Sequence, residues 1–94
     1  MTRLQVCVNG RTNGMTIISR ILALEVSLVN LPRKGEVCRV EFAQSDYKYL
    51  KVEQIYHDIG SNSTVVNLKE FDCGRDYFEE YTNYLMSKGW LVAS

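Results

Sequence analysis

The chain has few of the residues that build chemical sites. Its 94 residues include one histidine, one proline and three cysteines. Cys7, Cys38 and Cys73 are far apart and odd in number, with no C-x-x-C pair and no histidine at metal-ligand spacing. This pattern supports neither a disulfide framework nor a zinc site. We expect reduced thiols and no metal or other cofactor.

Long apolar runs are also absent. No stretch reaches the roughly 18 apolar residues that a membrane-spanning helix needs, and Asn9 and Gly10 interrupt the N-terminus before a secretion signal can form. We therefore expect a cytoplasmic protein without a membrane partner.

The composition is that of one globular domain covering residues 1–94. Hydrophobic residues make up 46% of the chain, and a second core would leave each half too small to be stable. The net charge is zero, but residues 1–51 carry eight Lys/Arg against four Asp/Glu, and residues 52–94 carry three against seven. This asymmetry indicates either a basic surface for an anionic partner or attraction between opposite patches within or between subunits.

Alternating apolar and polar residues predict four to five strands, at residues 4–8, 22–28, 38–42, 47–59 and 64–68. Asn13-Gly14, Pro32 with Gly35, and residues 60–62 supply turns between them. We expect strands 22–28 and 38–42 to pair antiparallel in a meander. The alternation within 47–59 changes parity twice, which predicts one or two β-bulges.

After Phe71 the apolar spacing changes to three and four residues, which predicts an amphipathic helix from Tyr77 to Leu85. Asp72 or Asp76 suits its N-cap, and Lys88-Gly89 suits its C-terminal stop. The expected fold is α+β, a mostly antiparallel sheet packed by one C-terminal amphipathic helix, with a half-open barrel as the alternative packing.

The helix is rich in aromatic residues, and its composition predicts more apolar surface than a small sheet can cover. Tyrosine and tryptophan combine apolar area with a polar tip, which suits interfaces. The candidate interface residues are Tyr77, Phe78, Tyr81, Tyr84, Leu85 and Trp90.

A second candidate surface is basic and aromatic. Tyr47 and Tyr49 lie within a stretch of cations that resembles nucleic-acid-binding strands, although nearby carboxylates reduce its net charge to about +1. The candidate anion-binding residues are Arg33, Lys34, Arg39, Lys48 and Lys51.

A third candidate is a pocket between sheet and helix that contains His57 and Cys38, with Asp58 nearby. General acid-base chemistry would need the histidine beside a nucleophile, and Cys38 is the thiol expected on a neighbouring strand. A structural or surface histidine is the simpler interpretation.

Part of the strand and turn pattern resembles short uncharacterised bacterial proteins, some of them carried by phages and gene cassettes. The resemblance spans about 40 residues and depends on residues 31–36, Tyr49, Val52, 55–57 and 65–68. It implies an accessory role on a mobile element and no active site.

The absence of catalytic motifs favours a non-enzymatic interaction module that self-associates, or binds another protein, through the aromatic helix or a sheet edge. The alternatives are a nucleic-acid or nucleotide binder that uses the basic strands, and a ligand-binding protein or enzyme that uses the pocket.

Overall fold

The computed structural model describes residues 1–27 and 30–93. The elements in chain order are β1 (Thr2–Thr12), β2 (Met15–Val26), β3 (Val37–Ala43), β4 (Asp46–Asp58), β5 (Ser63–Leu68), β6 (Phe71–Gly74), α1 (Arg75–Ser87) and β7 (Leu91–Val92). The prediction of an α+β fold with one C-terminal helix is confirmed. Leu28, the end of one predicted strand, lies with Val29 outside the described residues.

The sheet is a curled half-barrel of six or seven strands, more than the four to five predicted. Its order is β3-β4-β5-β1-β2-β7, and β6 pairs with β1. The short strands β6 and β7 contain four and two residues, too few for a recognisable alternation.

Four pairings are antiparallel, but β1 pairs in parallel with β5 through residues 2–5 and with β6 through residues 8–11. The expected meander is therefore wrong, since β1 lies in the middle of the sheet. The expected pairing of residues 22–28 with 38–42 is also wrong, because β2 pairs with β1 and β3 pairs with β4. Asn13 and Gly14, with φ of 53° and 76°, form the tight turn that joins β1 and β2.

The core lies between the inner face of the sheet and α1. Its fully buried members come from both layers, and the largest are Phe42, Phe78, Leu22, Leu85, Val6 and Val8. Phe42 stacks on Phe71 with ring centroids 4.3 Å apart. The apolar stripe of the helix therefore packs into this core.

The helix also bridges the opening of the half-barrel. On the β2 side, Arg20 donates a hydrogen bond to Thr82 over 3.1 Å and lies 3.6 Å from Glu79. On the β3 side, the Tyr84 hydroxyl donates to the Glu41 carboxylate. This bond raises the pKa of Tyr84 to about 12 and lowers the pKa of Glu41.

The helix ends as predicted and begins differently. Gly89 has φ of 100°, and the N–H groups of Gly89 and Trp90 donate to the carbonyls of Met86 and Leu85 over 3.2 and 3.1 Å. This double hydrogen bond is the Schellman motif. The N-cap is Gly74 without a side-chain cap, so neither predicted aspartate caps the helix.

Candidate functional site

A β-bulge in β4 brings three tyrosines to one face of the sheet. Before the bulge, Tyr47 and Tyr49 alternate with buried core residues and so point away from α1. The register shifts between Val52 and Gln54, after which Tyr56 pairs with Val65 on that same outer face. The predicted bulge is confirmed. Tyr47, Tyr49 and Tyr56 are 41%, 69% and 40% exposed.

Three cations accompany these rings. The Arg39 guanidinium lies 4.4 Å from the Tyr47 ring centroid, and Arg39 is the cross-strand partner of Tyr49. Lys51 follows Tyr49 on the same face, and the Lys69 N–H donates to the Lys51 carbonyl over 2.7 Å. Below, "tyrosine face" denotes this outer surface of β3, β4 and the end of β5, formed by Tyr47, Tyr49, Tyr56, Arg39, Lys51 and Lys69.

The cations of the tyrosine face are open to solvent. Arg39, Lys51 and Lys69 are all exposed. In the described part of the chain, the salt bridges use Arg11, Arg20 and Lys48 instead. The positive charges on the tyrosine face are therefore available to an anionic ligand.

The predicted anion-binding set is divided by the fold. Lys48 is opposite Val40 on the inner side of the sheet and lies 3.2 Å from Asp46, so it does not share a face with Lys51. Arg33 and Lys34 lie exposed in the loop before β3, and the Gly35 N–H donates to a β4 carbonyl over 2.9 Å, which holds this loop beside β4.

Separating the faces changes which charges lie together. Asp46 neutralises Lys48 on the inner side, whereas Glu41 is the cross-strand partner of Tyr47 and also accepts the Tyr84 hydrogen bond. The tyrosine face then has three cations against Glu41 and the exposed bulge residue Glu53, a net charge of 3 − 2 = +1. Counting along the sequence also gave about +1, but that count included Arg33, Lys34 and Lys48 and not Lys69.

Half of the residues of the predicted helix interface are buried in the core. Phe78, Leu85 and Trp90 are 1%, 0% and 5% exposed, so these three are not contact residues. Tyr81 and Tyr84 are half-buried, and each donates a hydrogen bond to a carboxylate of the β3–β4 hairpin.

The solvent-facing side of α1 is polar apart from two residues. Tyr77 is 55% exposed and Met86 is 43% exposed. The other exposed residues of the helix are Arg75, Asp76, Glu79, Glu80, Asn83 and Ser87. One small sheet is therefore sufficient to cover the apolar stripe of the helix, contrary to the expectation from sequence.

The two residues of the predicted pocket line different cavities. His57 is exposed, its Nδ1 lies 3.2 Å from the Thr64 hydroxyl, and it lines a cavity of about 400 Å³ at the end of the β4–β5 hairpin. Cys38 lines a cavity of about 320 Å³ with Leu31 and Pro32. Burial and the nearby Glu36 carboxylate raise the pKa of the Cys38 thiol, which makes it a weak nucleophile at neutral pH.

A further polar cluster surrounds Asn9, which is 5% exposed. Its Nδ2 donates to Glu70 and Asp72 over 3.1 and 2.9 Å, and its Oδ1 accepts from the Ser19 hydroxyl over 2.6 Å and from the Cys7 thiol over 3.4 Å. These bonds occupy the Asn9 amide, so the cluster connects β1 to its neighbours. No set of three or more metal-ligating side chains occurs within residues 1–27 and 30–93.

Sequence reasoning identified Tyr47, Tyr49, Arg39 and Lys51 as site residues but missed Tyr56 and Lys69. The parity change in residues 47–59 was the signal for Tyr56, because one bulge after Val52 moves it to the face of the other two tyrosines. Lys69 follows β5, and the antiparallel pairing of β4 with β5 brings its backbone beside Lys51.

Comparisons with protein-family models, with curated proteins and with solved structures gave no match. Among the described residues, no helix has both the length and the apolar character needed to cross a membrane.

Proposed function

We propose that this protein binds single-stranded nucleic acid on the tyrosine face. The observation that carries the proposal is the alignment of Tyr47, Tyr49 and Tyr56 on one uncovered sheet surface. Exposed aromatic rings on a sheet act as stacking platforms for unpaired bases, and they tolerate many sequences because every base has a π-face.

The cations support the same ligand. Arg39 presents a guanidinium plane on which a base can stack, while Lys51 and Lys69 can contact phosphates as point charges. Their lack of ion pairs within the described ranges means that binding does not first require breaking a salt bridge.

The shape of the surface favours a single strand over a duplex. In a duplex the bases are stacked on one another, so side chains that stand on a sheet cannot intercalate between them without distorting the helix. An unpaired strand can instead lay its bases flat on successive rings.

Fluorescence anisotropy with labelled 12-nucleotide single-stranded RNA and DNA, and with the matching duplexes, tests the proposal. We expect binding to at least one single strand, and a reduction of about fivefold or more for Tyr49→Ala, because one stacked base contributes about 1–3 kcal/mol. Tyr77→Ala, which removes an exposed tyrosine from the helix instead, is the matched control and should leave affinity unchanged.

The salt dependence tests the role of the cations. Lys51→Ala should weaken binding and reduce the slope of log K against log salt by about 0.7, the value for one phosphate contact on a single strand. Lys48→Ala changes the same residue type on the same strand but on the opposite face, so it should do neither. Equal effects of the two variants, or no binding by wild type at low salt, would contradict the proposal.

A second candidate function, self-association, is favoured by the edge of β2. β7 pairs only with Leu22 and Ala23 of β2, and the Ala93 N–H donates to the Ile21 carbonyl. From Met15 to Arg20, no described strand pairs with the outer side of β2. Met15 and Ile17 are 66% and 51% exposed there, and an apolar free edge is a template for pairing with another chain.

Light scattering during size-exclusion chromatography tests this candidate. A second copy paired along β2 gives twice the 10.8 kDa mass of one chain, and Ile17→Lys should restore the monomer because a charge on an edge strand disfavours pairing. The conservative control Ile17→Val should leave the dimer intact. A monomeric wild type at high protein concentration excludes this candidate and leaves the first one unaffected.

A further inference from the structure

Three amide side chains form a row across the outer face of the sheet, next to the tyrosine face. The register pairs Gln54 of β4 with Asn67 of β5, and Asn67 with Gln5 of β1. Directly opposed residues have Cβ atoms roughly 5 Å apart, so the three amides lie side by side. "Amide row" denotes these three residues.

The bulge in β4 positions this row between two stacking rings. Along β4, Tyr49 and Lys51 precede Gln54, and Tyr56 follows it two residues later on the same face. Two residues of strand span about 7 Å. A base stacked on Tyr56 can therefore direct its polar edge toward Gln54.

The amides of the row are available for a ligand. Gln54 is exposed, and Gln5 and Asn67 are half-buried. Within residues 1–27 and 30–93, other side chains such as the buried Asn9 form hydrogen bonds. None of these bonds involves an amide of the row. Each amide thus has a free acceptor oxygen next to a free donor nitrogen.

We propose that the amide row reads the edges of bases stacked on the tyrosine face and selects adenine over the pyrimidines. This inference rests on the proposed binding of single-stranded nucleic acid. An amide matches a base edge that presents a donor beside an acceptor. Adenine has two such edges, N6 with N7 and N6 with N1, and guanine also has two, O6 with N1–H and N2–H with N3, whereas cytosine and uracil match an amide in this way only along the Watson–Crick edge. Asparagine and glutamine accordingly pair with adenine in base recognition.

The reading residues and the stacking residues have separable effects. Removal of a ring from the tyrosine face weakens binding to every sequence, because stacking does not depend on base identity. Removal of an amide from the row weakens binding only to strands that contain the selected base. Gln54 is the best single probe, since its exposed side chain can be truncated without opening the core.

The experiment measures anisotropy with labelled single strands of twelve adenine, cytosine or uracil ribonucleotides, and of twelve deoxyadenosines. We expect wild type to bind the adenine strands about fivefold or more tightly than the uracil strand, the discrimination of a bidentate amide contact. Gln54→Ala should lose most of this preference while its affinity for the uracil strand changes less than about twofold. Asn83→Ala, an exposed amide on the helix, is the matched control and should keep the preference.

The outcomes separate the two proposals. No binding of any strand by wild type overturns the proposed function and this inference with it. Equal binding of all strands, or an equal loss on all strands in Gln54→Ala, overturns base reading alone and leaves the tyrosine face as a sequence-tolerant binding surface. Similar affinities for the ribose and deoxyribose adenine strands are expected, because the row contacts bases. Equal binding of the three ribose strands with much weaker binding of the deoxyadenosine strand would overturn base reading in favour of recognition of the 2′-hydroxyl.

Discussion

Gly10→Ala tests how closely α1 packs on the backbone of β1. A Cβ at Gly10 would lie 2.9 Å from Ile18 Cγ2 and 3.1 Å from both Cβ and Cδ1 of Phe78, where ordinary carbon contacts are about 3.5–4.0 Å. Ile18 is the cross-strand partner of Gly10, and the Phe78 Cβ is fixed to the helix backbone. Relief of the overlap therefore requires a shift of the helix.

The size of the effect follows from two opposing terms. Overpacking of this kind costs about 1–3 kcal/mol, and replacement of a strand glycine by alanine returns about 0.5–1 kcal/mol of backbone entropy. We expect a net destabilisation of about 1 kcal/mol, which lowers Tm by roughly 4–8 °C in a domain of this size.

Urea unfolding followed by fluorescence of the buried Trp90, together with thermal melting by circular dichroism, measures the change. Gly60→Ala is the control, because the nearest atom to its new Cβ is Asp58 Oδ1 at an ordinary 3.4 Å. If Gly10→Ala proves as stable as wild type, α1 does not press on β1 at this position and the packing described above is wrong.

Three further variants test other contacts. Tyr84→Phe removes the hydroxyl that lowers the pKa of Glu41 below its ordinary 4.5. The hydrogen bond to the ionised carboxylate therefore stabilises the folded state above pH 4.5, and this stabilisation is lost as pH falls through the lowered pKa. In acid urea titrations, the stability difference between Tyr84→Phe and wild type should vanish over that range. Leu85→Ala should lower the free energy of unfolding by about 2–5 kcal/mol, whereas Met86→Ala, 43% exposed, should cost less than about 1 kcal/mol; equal losses in urea melts would contradict the core assignment. Asn9→Asp replaces a donor between two carboxylates by a third negative charge and should destabilise by about 2–4 kcal/mol at neutral pH, with partial recovery on acidification; unchanged thermal stability would refute the Asn9 network.

Much of the local structure could be predicted from the sequence. The Asn13-Gly14 turn follows from the ability of these residues to adopt positive φ. The helix stop at Lys88-Gly89 follows from the same property of glycine. The parity change after Val52 predicted the bulge, because side chains of a strand must alternate between its faces.

Two sequence predictions failed because they considered only neighbouring residues along the chain. Strand β3 follows β2 along the chain but pairs with β4, since the tight turn at Ser45, with φ of 62°, joins β3 directly to β4. The first strand was predicted to end at Val8, yet β1 continues through Gly10 to Thr12, because the glycine makes room for Phe78.

For the candidate site, too, some properties follow from nearby residues in the sequence and others from long-range contacts. Alternation and composition determined that Tyr47, Tyr49, Arg39 and Lys51 belong to solvated strands, since these properties depend on neighbours within a few residues. Alternation also places Lys48 on the face opposite to Tyr47 and Tyr49. Only the tertiary structure decided that Phe78 and Trp90 are buried in the core and that the amides of three strands form one row. Those facts depend on strand order and on parallel pairings between segments that are distant in the sequence. Bringing such segments together costs chain entropy, which the packing of the whole core offsets and which no local pattern reveals.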